Sequence, residues 1–184
     1  MASHLVLASR SPQRRAILEQ LGIDFEVAVP EVEEAAEGDP GSLVVENALR
    51  KARSVPATSA AVLGVDTLVA LGARTLGKPR DEGEAREFLT ALSGREHEVH
   101  SGLALLAPQG QRVERATTRV RFRALEQAQL DWYLASGEWR ERAGGYAIQA
   151  RGAALVERIE GDYSNVVGLP VSLLVRMAPW LLVD

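Results

Sequence analysis

The sequence has no cysteine, so neither a disulfide framework nor a thiolate metal site can form, which suits a reducing compartment. It also lacks an excess of basic residues. Twenty-one Lys and Arg stand against 25 Asp and Glu, a net charge of -4. That balance argues against a broad nucleic-acid-binding surface and confines any attraction for phosphate to a local pocket. The opening MASHLVLAS has no basic segment and no long apolar core, and no later stretch reaches the roughly 20 apolar residues of a membrane span. The expectation is a cytoplasmic protein with no membrane or nucleic-acid partner. There is no internal repeat, low-complexity tract or evident linker. What is present is an ordinary soluble mixture, 46% apolar and 25% charged, over 184 residues. That length suffices for one globular domain, or for two small lobes sharing a core.

The chain is organised around LVLASRSPQRR, Leu5 to Arg15. A short apolar run breaks into Ser9, Arg10 and Ser11, and Pro12 then opens a helix, for which Ser11 is a good cap and proline a good first residue. A helix start with unpaired N–H groups, two hydroxyls and three arginines (Arg10, Arg14, Arg15) suits an anion, and phosphate is the commonest biological one. The same residues can also simply cap and solvate a helix, so later residues have to decide.

Ile17, Leu18 and Leu21 give that helix one apolar face, and Gly22 closes it. Phe25 to Val29 alternates as a strand, ended by Pro30, and an acidic loop from Glu31 to Asp39 follows. Its carboxylates are solvated by default; the alternative is that one turns inward to hold a metal ion. Ser42 reads as the cap of a second helix reaching about Ser54, with Lys51 near its end, where a cation complements the helix dipole. AVLGVDTLVAL, Ala61 to Leu71, is the most apolar strand candidate and carries a single carboxylate, Asp66. A buried carboxylate is costly unless paired or bound to a cation. Either a strand end or bulge at Gly64 brings Asp66 to the surface, or Asp66 is a metal ligand or general base at a cleft.

Gly72 and Ala73 form a hairpin turn, and Asp81 with Glu84 resembles a capping box opening a helix with Ala85, Phe88, Leu89 and Leu92 inward. His97 and His100 fall in the next strand on different sides of its alternation, which argues against a shared metal. That strand turns at Pro108 to Gly110 and returns through Val113 to Phe122. A helix from about Glu126 to Ser136, a strand from Ala153 to Ile159 and a final helix from Pro170 to Leu182 complete the expected elements. Gln149, an uncharged amide past Tyr146 and Ile148, can read a base edge or cap a turn.

These segments together resemble the Maf family of nucleoside triphosphate pyrophosphatases over essentially the whole chain. LASRSPQRRAILEQLGIDFEV, VEE at 32 to 34, ENALRKA, GVDTLV, GKPRD, LSGREHEVHSG, and AGGYAIQ with GDYSNVVGLP resemble the family's motifs in the correct order. GVDTLV with KPRD and YAIQ resembles the branch acting on dTTP and UTP rather than the branch acting on 7-methyl-GTP. The resemblance implies hydrolysis between the alpha and beta phosphates with help from a divalent cation, Mg²⁺ or Mn²⁺. By match of motif, Asp66 is the proposed proton acceptor for the attacking water and Glu34 its partner in metal binding or water activation, so both are candidate metal ligands. Ser9, Arg14, Lys51 and Lys78 would hold phosphates, and Gln13, Thr67 and Gln149 would occupy substrate-selecting positions. Gln13 is a departure, since the family usually has Arg there.

Phosphoanhydride hydrolysis does need positive charge on the polyphosphate, a cation on oxygen ligands and a base for water, and these residues supply that inventory. The expected fold is α/β, a mixed, twisted and elongated sheet flanked by helices, with two lobes around a central cleft and residues 1–184 forming a single domain. The resemblance adds a homodimer. A rival function of another class is a nucleotide-binding regulator of septum formation acting through partner contacts.

Overall fold

The computed structural model describes residues 4–56 and 60–182. Strands and helices alternate from the start: β1 (Leu5–Ala8), α1 (Pro12–Gln20), β2 (Phe25–Ala28), α2 (Pro40–Arg53), β3 (Ala61–Leu71) and β4 (Arg74–Leu76). They continue with α3 (Glu82–Leu92), β5 (Glu96–Ala107), β6 (Gly110–Phe122), α4 (Gln127–Leu134), β7 (Val156–Glu160), α5 (Tyr163–Val167) and α6 (Val171–Met177). The strands form a mixed seven-stranded sheet in the order β2-β1-β3-β5-β6-β7, with β4 paired to β3. β1 runs parallel to both β2 and β3, whereas β3–β4 and β6–β7 are antiparallel. The α/β class and the sheet flanked by helices are as expected. Among the described residues no helix is long and apolar enough to cross a membrane.

Contacts divide the chain into two compact units. The first takes in the described residues of Met1–Thr67, Ser101–Ala116 and Gly168–Asp184; the second comprises Leu68–His100 and Thr117–Val167. In the first unit the parallel strands are covered on both faces, which is why LVLA is apolar at every position. The two faces differ in size. Leu5, Leu7, Leu63 and Val65 pack on one side with Leu18 of α1 and with Leu173, Leu174 and Met177 of α6. Val6, Ala8 and Val62 pack on the other with Ala48 and Ala52 of α2. The small residues on that second face let α2 lie close. A Cβ on Gly64 would stand 2.1 Å from the Ala48 carbonyl oxygen, and one on Gly102 the same distance from that of Val44. The register with β1 runs unbroken through Gly64, so this glycine makes no bulge against β1 and instead marks the approach of α2 to the sheet.

The second unit has its own core, with Phe88, Leu89 and Leu92 of α3 packed among Val120, Phe122, Tyr133, Tyr146 and Ile148. His97 is buried in it, its ring edge-on to Phe122 and Tyr146 and its Nε2 2.8 Å from the Tyr146 hydroxyl. His100 instead meets the Thr117 hydroxyl at 3.0 Å, so the two histidines have separate partners.

Several expected boundaries shift. Asp39, not Ser42, caps α2: its carboxylate accepts the Ser42 N–H, and Pro40 takes the first-turn position that proline favours. Glu84 reaches back to the N–H of Arg80 rather than that of Asp81, so only the Asp81 half of the expected capping box forms. Arg151–Leu155 is a 3-10 turn, which delays β7 to Val156. The last expected helix stops at Met177, because Pro179 cannot donate a helical N–H, and a separate 3-10 turn follows at Pro179–Leu182.

Candidate active site

Parallel strands of an open α/β sheet present their carboxyl ends to ligands. Here β1 and β3 pair from Leu5↔Ala61 to Ala8↔Gly64, so Ser9 and Asp66 lie just beyond the stretch over which the two strands pair with each other. Alternation along β3 then sorts the side chains. Asp66 shares the parity of Val62 and Gly64 and faces α2, whereas Thr67 faces the opposite side with Arg14.

On the α2 side, Asn47 and Lys51 stand one helical turn apart, both buried, and both reach Asp66. Lys51 Nζ is 2.6 Å from Asp66 Oδ1 and 2.7 Å from Glu34 Oε1. Asn47 Nδ2 donates to Asp66 Oδ2 at 3.2 Å. Asp66 is 4% exposed, so the carboxylate in the most apolar run is indeed buried, and it is paired. Glu34 differs: its side chain is 55% exposed, and of the acidic loop it is the carboxylate that meets Lys51. The Lys51 side chain, expected either at the helix dipole or on phosphate, extends from the last turn of α2 to these two carboxylates.

On the other side, Arg14 is a hub. Its Nε donates to the Gly168 carbonyl at 2.9 Å, Nη1 to Ser9 Oγ at 3.0 Å and to the Val65 carbonyl at 2.9 Å, and Nη2 to Thr67 Oγ1 at 3.1 Å. Ser9 Oγ also accepts the Ser11 N–H, so the loop opening α1 is cross-braced. Thr67 Oγ1 lies 2.8 Å from Ser101 Oγ. Burial holds the Arg14 pKa below its ordinary value, and the charges of Asp66 and Glu34 work against that shift. Arg14, Lys51, Asp66 and Glu34 carry two charges of each sign. Gln13 sits at the start of α1, its Oε1 accepting from the Ser11 hydroxyl at 3.1 Å.

Ser9, Gln13, Arg14, Glu34, Lys51, Asp66 and Thr67 thus belong to the first unit. Lys78 and Gln149 belong to the second, where Lys78 pairs with Glu141 at 2.8 Å on the surface and Gln149 is exposed beyond the buried Tyr146, Ala147 and Ile148. Sequence reasoning missed Asn47, Ser101 and the carbonyls of Val65 and Gly168. For Asn47 a signal existed: it stands four residues before Lys51 on the helix face that also carries Val44 and Ala48.

Two carboxylates converging on one ammonium form a site for a single cation, and their hard oxygens suit Mg²⁺ or Mn²⁺. Among the described residues no group of three or more His, Asp or Glu side chains is placed to hold a metal. A divalent ion here would therefore take its remaining ligands from water and phosphate, as Mg²⁺ does at many phosphoryl-transfer sites.

A family model described as Maf-like protein matches residues 4–179. A dTTP/UTP pyrophosphatase of Deinococcus radiodurans is 46% identical over 179 residues, covering 96% of this chain and 92% of the relative. One from Symbiobacterium thermophilum is 49% identical over 177 residues, covering 94% and 91%, and one from Bacillus cereus is 44% identical over 176 residues, covering 94% and 87%.

Proposed function

Because this chain belongs to the Maf family, we propose that it is a nucleoside triphosphate pyrophosphatase acting on dTTP and UTP. The reaction splits the bond between the alpha and beta phosphates, giving the nucleoside monophosphate and pyrophosphate. The observation that carries the reading within this chain is the buried Asp66, held by Lys51 and Asn47 and joined through Lys51 to Glu34.

The residues divide the work by charge. Asp66 accepts the proton of the attacking water, and Glu34 shares in orienting that water. Lys51 keeps the two carboxylates from repelling an incoming triphosphate, and it moves onto phosphate oxygen as the substrate arrives. Ser9 and Lys78 bind phosphate oxygens. Arg14, most of whose donors already hold the surrounding backbone and hydroxyls, contributes its charge and aligns Ser9 and Thr67. Asp66 and Glu34 would hold a Mg²⁺ or Mn²⁺ ion, whose chemistry is to neutralise the polyphosphate and lower the pKa of bound water. Thr67, Gln149 and Gln13 select the base, with Gln149 on the pyrimidine edge. In this reading residues 1–184 act as one domain, as a homodimer in the cytoplasm.

The test is pyrophosphate release from dTTP, UTP, CTP, GTP and 7-methyl-GTP with Mg²⁺ or Mn²⁺, for the native chain and Asp66→Asn. Release from dTTP and UTP is expected, falling by at least about 100-fold in the variant, the scale of losing a general base. Activity confined to another base would keep the hydrolase and overturn the pyrimidine assignment. No release from any nucleotide would leave the septum-regulating reading.

A further inference from the structure

Asn47 is 1% exposed, and its amide is fully engaged. Oδ1 accepts the Ala35 N–H at 2.7 Å, while Nδ2 donates to the Ala35 carbonyl at 3.1 Å and to Asp66 Oδ2 at 3.2 Å. Both Nδ2 protons are used, and Oδ1 has its donor. The two bonds to Ala35 treat the side-chain amide as a peptide of a neighbouring strand, which fixes both the position and the rotation of the chain at residue 35. Glu34 is the residue before it.

The other ties on this part of the loop are weaker. Arg50 donates to the Glu33 carbonyl from an exposed position, and Glu34 meets Lys51 with a half-exposed side chain. Exposed ion pairs contribute little net stability because solvent screens them and ordering two long side chains costs entropy. The buried, neutral amide is the firmer anchor.

We propose that Asn47 is a positioning residue of the hydrolytic centre, holding Glu34 through the Ala35 backbone and Asp66 directly, so that both carboxylates converge on one cation. This rests on the hydrolase reading above. No other small polar side chain does the same. Aspartate would keep an acceptor for the Ala35 N–H, but it has no proton for the Ala35 carbonyl or Asp66, and it adds a third negative charge. Alanine removes all three bonds.

The experiment measures kcat and KM for dTTP in the wild-type chain, Asn47→Ala, Asn47→Asp, Glu34→Gln and the double variants, with Tm and Ala35 amide exchange for each. The expected result is that Asn47→Ala and Asn47→Asp lower kcat by about 10- to 100-fold while KM moves by less than about threefold. Ala35 exchange speeds up in Asn47→Ala. Each double variant is slower than its slower single by no more than about threefold, because both changes remove the same placement of Glu34. A merely structural role would lower Tm with unchanged kcat per folded molecule, and that result overturns the proposal. So does a double variant whose loss is the product of the two singles. If Asn47→Ala does not fold, the near-isosteric Asn47→Asp and its cycle with Glu34→Gln decide by the same kcat criteria. A wild-type chain without turnover overturns the hydrolase reading and this inference with it, whereas an active wild type with an equally active, folded Asn47→Ala overturns the inference alone.

Discussion

Asp66 tolerates burial because an ammonium lies 2.6 Å away, so the two charges have to be considered together. Lys51→Met removes the ion-pair partner and leaves the buried carboxylate with the Asn47 amide and the more distant charge of Arg14. Breaking a buried pair in this way costs about 3–5 kcal/mol. Urea denaturation at neutral pH should show that loss, and adding Asp66→Asn should restore much of it, since the uncompensated charge is then gone. A double variant as unstable as Lys51→Met alone would mean that the ion pair is not what stabilises this part of the core. Asp66 was legible in the sequence because a lone carboxylate in an apolar run demands a partner. Lys51 was half legible, since its position near a helix end gave it a second explanation. Asn47 is hidden in the sequence. Asparagine in a helix is ordinarily a surface residue, and only its alignment with Lys51 on the buried face distinguishes this one.

The α2 helix carries both Asn47 and Lys51, so the distance between helix and sheet sets the geometry of the site. Gly64 sets that distance. An alanine there would place its Cβ 2.1 Å from the Ala48 oxygen and 2.7 Å from the Ala52 nitrogen, both backbone atoms that move only if α2 moves. Gly64→Ala is expected to cost about 1–3 kcal/mol or more by overpacking, and to lower kcat as α2 withdraws its side chains from Asp66. Thermal unfolding and dTTP turnover measure the two effects. Unchanged turnover in a destabilised variant would separate the helix position from catalysis. The same glycine shows where element-level reading runs out. Sequence suggested a strand end or bulge, because a glycine in a strand is compatible with either a bulge or a close neighbour. The small residues opposite it, Ala48 and Ala52, lie far along the chain and become informative only once the helix is known to cross there. Short elements were equally obscure. The five residues of α5 are too few for a periodic pattern, and the Pro179 break was hidden by apolar residues on both sides.

At the scale of the whole molecule, acid should weaken the fold through His97. Burial beside Phe122 and Tyr146 lowers its pKa from 6.5 to about 4. As pH falls below 6.5 the unfolded chain takes up this proton and the folded chain does not, so the unfolded state binds more protons and stability declines. The decline is complete once pH passes below about 4 and amounts to about 3 kcal/mol. Urea midpoints between about pH 5 and 6.5 keep the measurement above the range in which ordinary carboxylates titrate. His97→Phe should flatten that slope; a slope that persists would assign it to other groups. The α/β class was legible from the alternation of strand and helix patterns. The division into two units was not, because β3, β5 and β6 each supply residues to both and no change of composition marks the crossings. That interleaving also orders events in time. Arg14 Nε finds its acceptor at Gly168, 154 residues further along the chain. Contacts of such long range form late and slow folding. During synthesis the β1–α1 segment leaves the ribosome early yet waits for almost the whole polypeptide before its arginine is satisfied, so a nascent chain stalled short of residue 168 would have neither a finished first unit nor catalytic competence.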